Sequence, residues 1–279
     1  MQARQDSRNA LGLPGRLRLD LSDNCVGQKK KPACAGFFRS FVPEEDLRPN
    51  PWWSMNNIIT ITKISMATNF PAVRMALSPG RTSTYLDALK QKPPHLGLAL
   101  DLYVWNAKLG AALMSPISVC EVVIRNAVSD ALTLRYGPQW PWSTSFHSSL
   151  NDRGKKALED ARNGETATGK VIAEFSFGFW ENMFVTSFDY EIWNSYLNVV
   201  LPNLPAGNTV RSSRGHMRQE LEKLRLLRNR IAHHEPILTI NAAVHLQRVE
   251  KLVGYRCFHT AAWVVQTNSV AALIGTKPS

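Results

Sequence analysis

The chain has 279 residues, of which 44% are apolar and eight are tryptophan, a composition that excludes a chain disordered throughout. Lys and Arg outnumber Asp and Glu by 33 to 22, a formal net charge of +11. Polyanions such as RNA or DNA are therefore candidate partners through phosphate contacts, although many basic proteins bind none. No run of 18 uncharged apolar residues is present, so we expect no membrane span.

The cysteines and the first residues bear on the compartment. Cys25, Cys34, Cys120 and Cys257 are scattered and form no C-x-x-C pair. The N-terminal stretch lacks the apolar core of a secretory signal. We therefore expect reduced thiols and a cytoplasmic location.

Residues 1–68 differ from the rest of the sequence. Isolated Pro and Gly in "GQKKKPACAG" and "FVPEEDLRPNPWWSMNN" interrupt any sustained period of 3.6 or 2. We expect an N-terminal extension that is either poorly ordered or upstream of the true translation start, followed by a helical domain over 69–279.

From Pro71 onward the apolar spacing is helical and no stretch shows convincing strand alternation. The second segment has Ser115 as an N-cap, Pro116 in its first turn and Gly137 as its stop. The sequence predicts an all-α bundle, with helices over 97–114, 115–137, 152–164, 169–184, 189–201, 209–234, 240–254 and 257–274.

Two patterns suggest ligand sites that the context does not support. Gly164 to Lys170 has the G-x-x-x-x-G-K spacing of a P-loop, but Val171 replaces the magnesium-binding hydroxyl and a helix precedes it. We therefore predict a helix–helix connection. The aromatic run "FSFGFW" over 175–180 resembles a base-stacking platform, but aromatics at helical spacing in an apolar segment are typical of core.

The run "HHEPIL" suggests a zinc site only superficially. The H-E-x-x-H pattern requires a histidine where Leu238 stands, and Pro236 would break the helix that the pattern needs. Adjacent His233 and His234 diverge by about 100° on a helix and do not chelate together easily. We expect no metal and no cofactor.

The 209–234 helix carries an arginine on its apolar side. On a helical wheel Arg228 lies within the stripe formed by Leu221, Leu224, Leu227 and Ile231. A guanidinium on a packing face needs a partner. Arg228 is expected to pair with a buried carboxylate, to extend to an edge, or to face a cleft that takes an anion, and the helix alone does not decide among these.

The same helix ends in histidines. Asn229 and His233 are spaced i, i+4 and share a face, whereas Arg228 and His233 are about 140° apart. Glu235 precedes a proline and is pushed out of helical geometry, so we expect the last turn to loosen. His234 falls beside Leu227 on the wheel, which predicts packing.

The hexad Arg228-Asn229-Arg230-Ile231-Ala232-His233 resembles the R-N-x-x-x-H signature of the HEPN superfamily, and "LRNRIAHHEPIL" resembles its bacterial Abi-like (abortive infection) branch. Three further blocks are similar in the same order, near 102–140, 172–184 and 253–264. The resemblance covers roughly residues 75–270 and does not extend to the N-terminal extension.

The resemblance implies a HEPN-like helical bundle with additional helices that pairs as a homodimer and acts as a metal-independent endoribonuclease in antiphage defence. Arg228 and His233 would be catalytic. Asn229, Glu121 and Arg125 would support the site, with His234 as a rival base. RNA would be the substrate and an antitoxin protein a possible partner. Some members of that superfamily do not cut, so a module that binds RNA, a nucleotide or a partner protein remains the alternative.

The motif helix is also strongly basic. Arg218, Arg225 and Arg230 lie on it close to the motif in sequence. Such a run usually forms a solvated face, yet beside an RNA site it could follow the phosphate backbone. We predict that these three arginines bind RNA.

Overall fold

The computed structural model of the protein describes residues 68–90, 93 and 95–279. This part of the chain is all-α, as the sequence predicts, and contains no β-strand. The predicted N-terminal extension lies outside the described residues except for residue 68. The helical unit spans Met66–Ser279.

The described residues form twelve α-helices, together with 3-10 turns at Trp140–Trp142 and Thr186–Phe188 and a π-helical turn at Asp189–Trp193. The α-helices are α1 Phe70–Leu77, α2 Pro79–Leu89, α3 Leu96–Tyr136, α4 Thr144–Ser149, α5 Asp152–Arg162, α6 Thr168–Glu174, α7 Phe177–Asn182, α8 Asn194–Val200, α9 Val210–Ala232, α10 Ala242–Arg256, α11 Phe258–Thr267 and α12 Val270–Ile274.

Helix α3 is continuous for 41 residues, so the predicted break before Pro116 is wrong. A proline inside a helix costs about 3 kcal/mol or more. Burial offsets this cost, because one stripe of buried side chains continues along α3 past Pro116 without interruption, including Leu113, Ile117 and Cys120. The predicted stop is confirmed, since Gly137 has a φ of 87°, which a side chain would strain.

Two predicted helices are each divided in the structure. The 169–184 segment breaks at Ser176 into α6 and α7, and the 257–274 segment breaks at Asn268 into α11 and α12. The Asn268 amide bonds the carbonyl oxygens of Val264 and Val265, and its Oδ1 accepts from the backbone N–H of Val270. A side chain that caps both helix ends makes the break specific.

The aromatic run belongs to the core, as predicted. Phe175 and Phe179 stack with ring centroids 3.8 Å apart, and Trp180 meets both rings edge-on. All three are buried. The Gly164–Lys170 segment spans the connection between α5 and α6, so the predicted helix–helix connection is confirmed and no strand precedes it among residues 95–163.

Helix α9 packs against α3, α7, α8 and α10. Thr209 caps its start by accepting the backbone N–H of Ser212. The predicted apolar stripe is confirmed for Leu221, Leu224 and Leu227, which are buried, whereas Ile231 is half-buried. This packing turns the apolar stripe of α9 into the core and leaves Arg218 exposed.

By length and composition, α3 could also cross a membrane. Its most apolar 18-residue window is 39% buried within the protein, so much of this surface is not covered by the described residues. The sequence-based expectation of no membrane span is therefore not confirmed.

Candidate functional site

The motif lies where α9 ends. Helix α9 stops at Ala232, and His233 is the C-cap residue, with its backbone N–H donating to the Asn229 carbonyl at 2.9 Å. His234 has a φ of 56°, in the left-handed region. The predicted loosening of the last turn is thus confirmed, because Pro236 cannot continue the helix.

The loop after α9 is held from two sides. Arg81 of α2 donates to the His234 carbonyl at 2.8 Å. Arg230 donates to the Pro236 carbonyl, and its Nε lies 3.4 Å from Glu235. The two histidines therefore stand on a braced turn rather than on a fraying helix end.

His234 does not pack as the helical wheel predicts. Its side chain is exposed. The wheel assumes helical geometry through residue 234, whereas the chain leaves the helix two residues earlier. The prediction of a packing role is wrong for this reason, and His234 lines a surface cleft instead.

Arg228 faces a carboxylate on α3. Burial raises the pKa of Glu121, and the charges of Arg228 and Arg125 oppose that rise. Both guanidinium groups are therefore close enough to Glu121 to act on it electrostatically. No ion pair within 4.0 Å joins them among residues 95–279. The sequence-predicted residues Glu121, Arg125 and Arg228 come together here, in what we call the arginine cluster.

The arginine cluster carries an excess of positive charge. The charges of two guanidinium groups act on one carboxyl group, and all three side chains are half-buried. The Nε of Arg125 is fully buried and has no hydrogen-bond partner among the described residues. An unsatisfied buried donor is costly, so a cluster of this kind favours a bound anion. Of the three interpretations of Arg228, the influence of its charge on Glu121 favours a carboxylate neighbour, and the anion site stays a prediction.

The structure does not join Arg228 to His233. His233 is exposed, and no hydrogen bond links its ring to Arg228 or to the Asn229 side chain in the described part of the chain. Asn229 contributes only its backbone carbonyl. The Arg228 guanidinium and the His233 imidazole flank the end of α9, so a shared reaction would require both to contact a ligand placed between them.

The three arginines predicted to bind RNA have different environments. Arg225 forms an ion pair with buried Glu181, and Arg230 holds the loop after α9. Arg218 is exposed, and no ion pair to it exists within the described residues. Arg225 and Arg230 thus have roles in the fold beside any contact with RNA.

A cleft beside the motif contains residues that the sequence did not indicate. It has a volume of about 370 Å³ and is lined by residues of α2, α3 and the end of α9, including Tyr85, Tyr103 and Asn106. We call it the tyrosine cleft. Its one sequence signal was Asn106, an amide beside Trp105 and Leu109 in an apolar stripe, where a polar group needs a partner.

Comparison with known proteins provides no relative on which to transfer a role to these residues. No protein-family model matches the chain, and no curated protein and no solved structure matches it significantly.

Proposed function

We propose that the protein is a metal-independent endoribonuclease of bacterial antiphage defence, of the Abi-like HEPN type, acting in the cytoplasm. Arg228 and His233 carry the reaction at a homodimer cleft. The observation that carries the proposal is the arginine cluster, where two guanidinium groups act on one carboxyl group, with the exposed His233 five residues after Arg228 in the chain.

The electrostatics of the cluster suit a phosphodiester. The excess positive charge of Arg125 and Arg228 over Glu121 can be neutralised by one bound phosphate. Bidentate contacts from a guanidinium stabilise the charge that develops as phosphorus becomes five-coordinate. Glu121 can balance only one of the two positive charges.

RNA brings its own nucleophile. His233 accepts the 2′-hydroxyl proton, the 2′-oxygen bonds to phosphorus, and the bond from phosphorus to the 5′-oxygen breaks. The leaving 5′-oxygen takes up a proton from water, and His233 returns the proton that it accepted to the solvent. The products are a 2′,3′-cyclic phosphate and a 5′-hydroxyl, with no change in oxidation state. An exposed imidazole suits this exchange, because histidine is the side chain that most often serves as a general base.

A homodimer would place two copies of the motif at one cleft. Val122 lies next to Glu121, Leu226 lies two residues before Arg228, and both are exposed. A homodimer would cover these two exposed apolar side chains, which are close in sequence to the arginine cluster. A second copy would also cover the uncovered part of α3, which would otherwise face solvent or lipid.

The second candidate function is a non-catalytic module that binds RNA, a nucleotide or an antitoxin-like protein. The exposed position of His233, without a contact to Arg228, favours it. Binding needs only the arginine cluster, whereas cleavage needs both groups on one phosphate.

The deciding experiment is cleavage of RNA in EDTA by the wild type, Arg228→Ala and His233→Ala. We expect the wild type to release 2′,3′-cyclic phosphate ends. His233→Ala should be about 10²–10⁴-fold slower, since a general base contributes that much. Arg228→Ala should be about 10²–10³-fold slower, since loss of one group that stabilises the developing charge costs that much. Inducible expression should arrest growth with the wild type alone.

Matched controls are Arg211→Ala, at the start of the same helix, and His259→Ala on α11, both exposed. They should cut like the wild type. Intact RNA with every variant would refute the nuclease, and RNA binding that is lost only in Arg228→Ala would then favour the second candidate. Cleavage that EDTA abolishes would refute metal independence, and a monomer at micromolar concentration would refute the dimer cleft.

A further inference from the structure

The C-terminal helices α11 and α12 expose large apolar side chains in a part of the chain that carries no charge. Residues 257–276 contain no Asp, Glu, Lys or Arg. Phe258 is 66% exposed, Trp263 is 54% exposed, and Val265 and Ile274 are exposed as well. The outer face of a surface helix normally carries charged and polar residues. We call these four exposed side chains the C-terminal apolar surface.

Helix α11 is apolar on both of its sides. Its inner side packs on α10 and includes Ala261 and Val264, which are buried. On its outer side Phe258 and Val265 are seven residues apart, which places them within about 20° of each other around the helix. A helix that is apolar all round is normally covered, either by the rest of a protein or by lipid. The described residues leave the outer side of α11 uncovered.

The polar groups beside this surface are bonded within the two helices. The Thr267 hydroxyl donates to the Trp263 carbonyl at 2.8 Å, and the Thr276 hydroxyl donates to the Leu273 carbonyl at 3.0 Å. Asn268 bonds the end of α11 and the start of α12. Because these donors are already satisfied, an apolar layer can cover them at small cost.

The charges that flank the surface are basic. Glu250 is the last acidic residue of the chain, and Lys251, Arg256 and Lys277 follow it. Lys108 lines a groove of about 630 Å³ between α3 and the segment that joins α11 to α12. Arg256 is in an ion pair, whereas none of the three lysines has one within the described residues. The positive charge of these lysines is therefore available to an anionic partner.

We propose that the C-terminal apolar surface binds an anionic lipid bilayer, with Phe258 and Trp263 at the depth of the headgroups and the flanking lysines on lipid phosphates. This inference does not depend on the proposed nuclease. Aromatic rings prefer the interface between lipid and water, and lysines are attracted to anionic headgroups. Lysine is depleted in protein–protein interfaces, so a lysine-rich edge favours lipid over a protein partner. Contact of this kind lies on the bilayer and leaves α3 within the bundle.

The test is co-sedimentation of the full chain with lipid vesicles. One set contains equal parts of phosphatidylglycerol and phosphatidylcholine, and the other contains phosphatidylcholine alone. We expect binding to the mixed vesicles and at least tenfold weaker binding to the neutral ones, because each lysine near an anionic surface contributes about a factor of five.

Two substitutions address the apolar contact. Phe258→Ser and Trp263→Ser should each weaken binding to the mixed vesicles about tenfold, because each removes a large apolar side chain that would leave water. Tyr190→Ser is the matched control, since Tyr190 is 85% exposed and lies in the turn before α8, outside the C-terminal apolar surface. It should bind as the wild type does.

A pair of double variants addresses the charge. Lys108→Gln/Lys277→Gln should weaken binding to the mixed vesicles at least tenfold and should leave binding to neutral vesicles unchanged. Arg153→Gln/Arg211→Gln removes the same charge at exposed positions of α5 and α9 and should change the affinity by less than about twofold.

No binding to mixed vesicles, equal affinity for the two kinds of vesicle, or full binding by both Phe258→Ser and Trp263→Ser would overturn the inference. A wild-type dimer that these substitutions convert to a monomer, with no vesicle binding, would make the surface an interface between copies and would also overturn it. Circular dichroism checks folding, and if one of the two variants does not fold, the other decides in the same way.

Discussion

Each end of α9 carries an arginine, and the environments of the two arginines differ. Near the start, Arg214 is 5% exposed and forms two hydrogen bonds with Asp189, at 2.8 and 3.1 Å, and a third with the Phe184 carbonyl at 3.2 Å. Near the end, Arg228 is half-buried and, with Arg125, acts electrostatically on one carboxyl group, that of Glu121. The site of Arg214 is closed, because its donors are bonded within the fold. The site of Arg228 is open, because Glu121 can balance only one of the two positive charges.

The difference separates a role in the fold from a role in binding. A buried guanidinium whose donors are bonded to one carboxylate and a carbonyl has little left to offer a ligand. A cluster with one surplus positive charge and an unsatisfied buried Nε can still bind a ligand. Each end therefore predicts a different result when its arginine is replaced.

The largest effect on stability is expected at the closed end. Arg214→Met should lower the free energy of unfolding by about 3–5 kcal/mol, because it leaves the carboxylate of Asp189 uncompensated. Arg228→Met should lower it by less than about 1 kcal/mol. Urea denaturation followed by circular dichroism measures both.

The double variant Arg214→Met/Asp189→Leu is the control for that comparison, since removing both charges is often nearly neutral. It should recover most of the loss. Equal destabilisation by Arg214→Met and Arg228→Met would contradict the contrast between the two ends.

An intermediate effect is expected at Arg225, which pairs with the 4%-exposed Glu181 but is itself partly exposed. Arg225→Met should cost about 1–3 kcal/mol, the penalty for leaving a buried polar group unpaired. Chemical denaturation measures the loss, with Arg211→Met as the exposed control. No loss would show that water replaces the arginine and that Arg225 is available to RNA.

A smaller effect is expected at Arg218. Because it is exposed, Arg218→Ala should leave the free energy of unfolding within about 0.5 kcal/mol. If it contacts a phosphate, the salt slope of RNA affinity should fall by about one. Fluorescence anisotropy at several salt concentrations measures the slope, and an unchanged slope would remove Arg218 from the RNA-binding surface.

The smallest effect concerns Glu121 and pH. Its pKa is raised in the folded protein, so its contribution to stability is complete below the ordinary value of 4.5 and is lost as pH rises through the raised pKa. Glu121→Gln cannot ionise, so its Tm should match the wild type near pH 4 and exceed it slightly at pH 7. Thermal denaturation across that range measures the difference. A lower Tm for Glu121→Gln at pH 7 would show that attraction to the arginines outweighs burial.

The sequence anticipated the local features of the candidate site better than its contacts. The helix end at the histidines followed from Pro236, and the stripe of α9 followed from apolar spacing. The facing of Glu121 and Arg228 was expected from a family resemblance, because residues 107 positions apart share no local pattern. Tyr85 and Asn106 converge only through packing of α2 on α3.

By itself, the sequence determined the all-α class and most helix positions, because periodic apolar residues, caps such as Thr209 and stops such as Gly137 act within a few residues. Tertiary structure decided which arginines are bonded within the fold and which keep positive charge available to a ligand. The partner of Arg214 is 25 residues away and that of Arg225 is 44 residues away. It also decided that α3 continues through Pro116, since burial of one unbroken stripe outweighs the local cost of the proline.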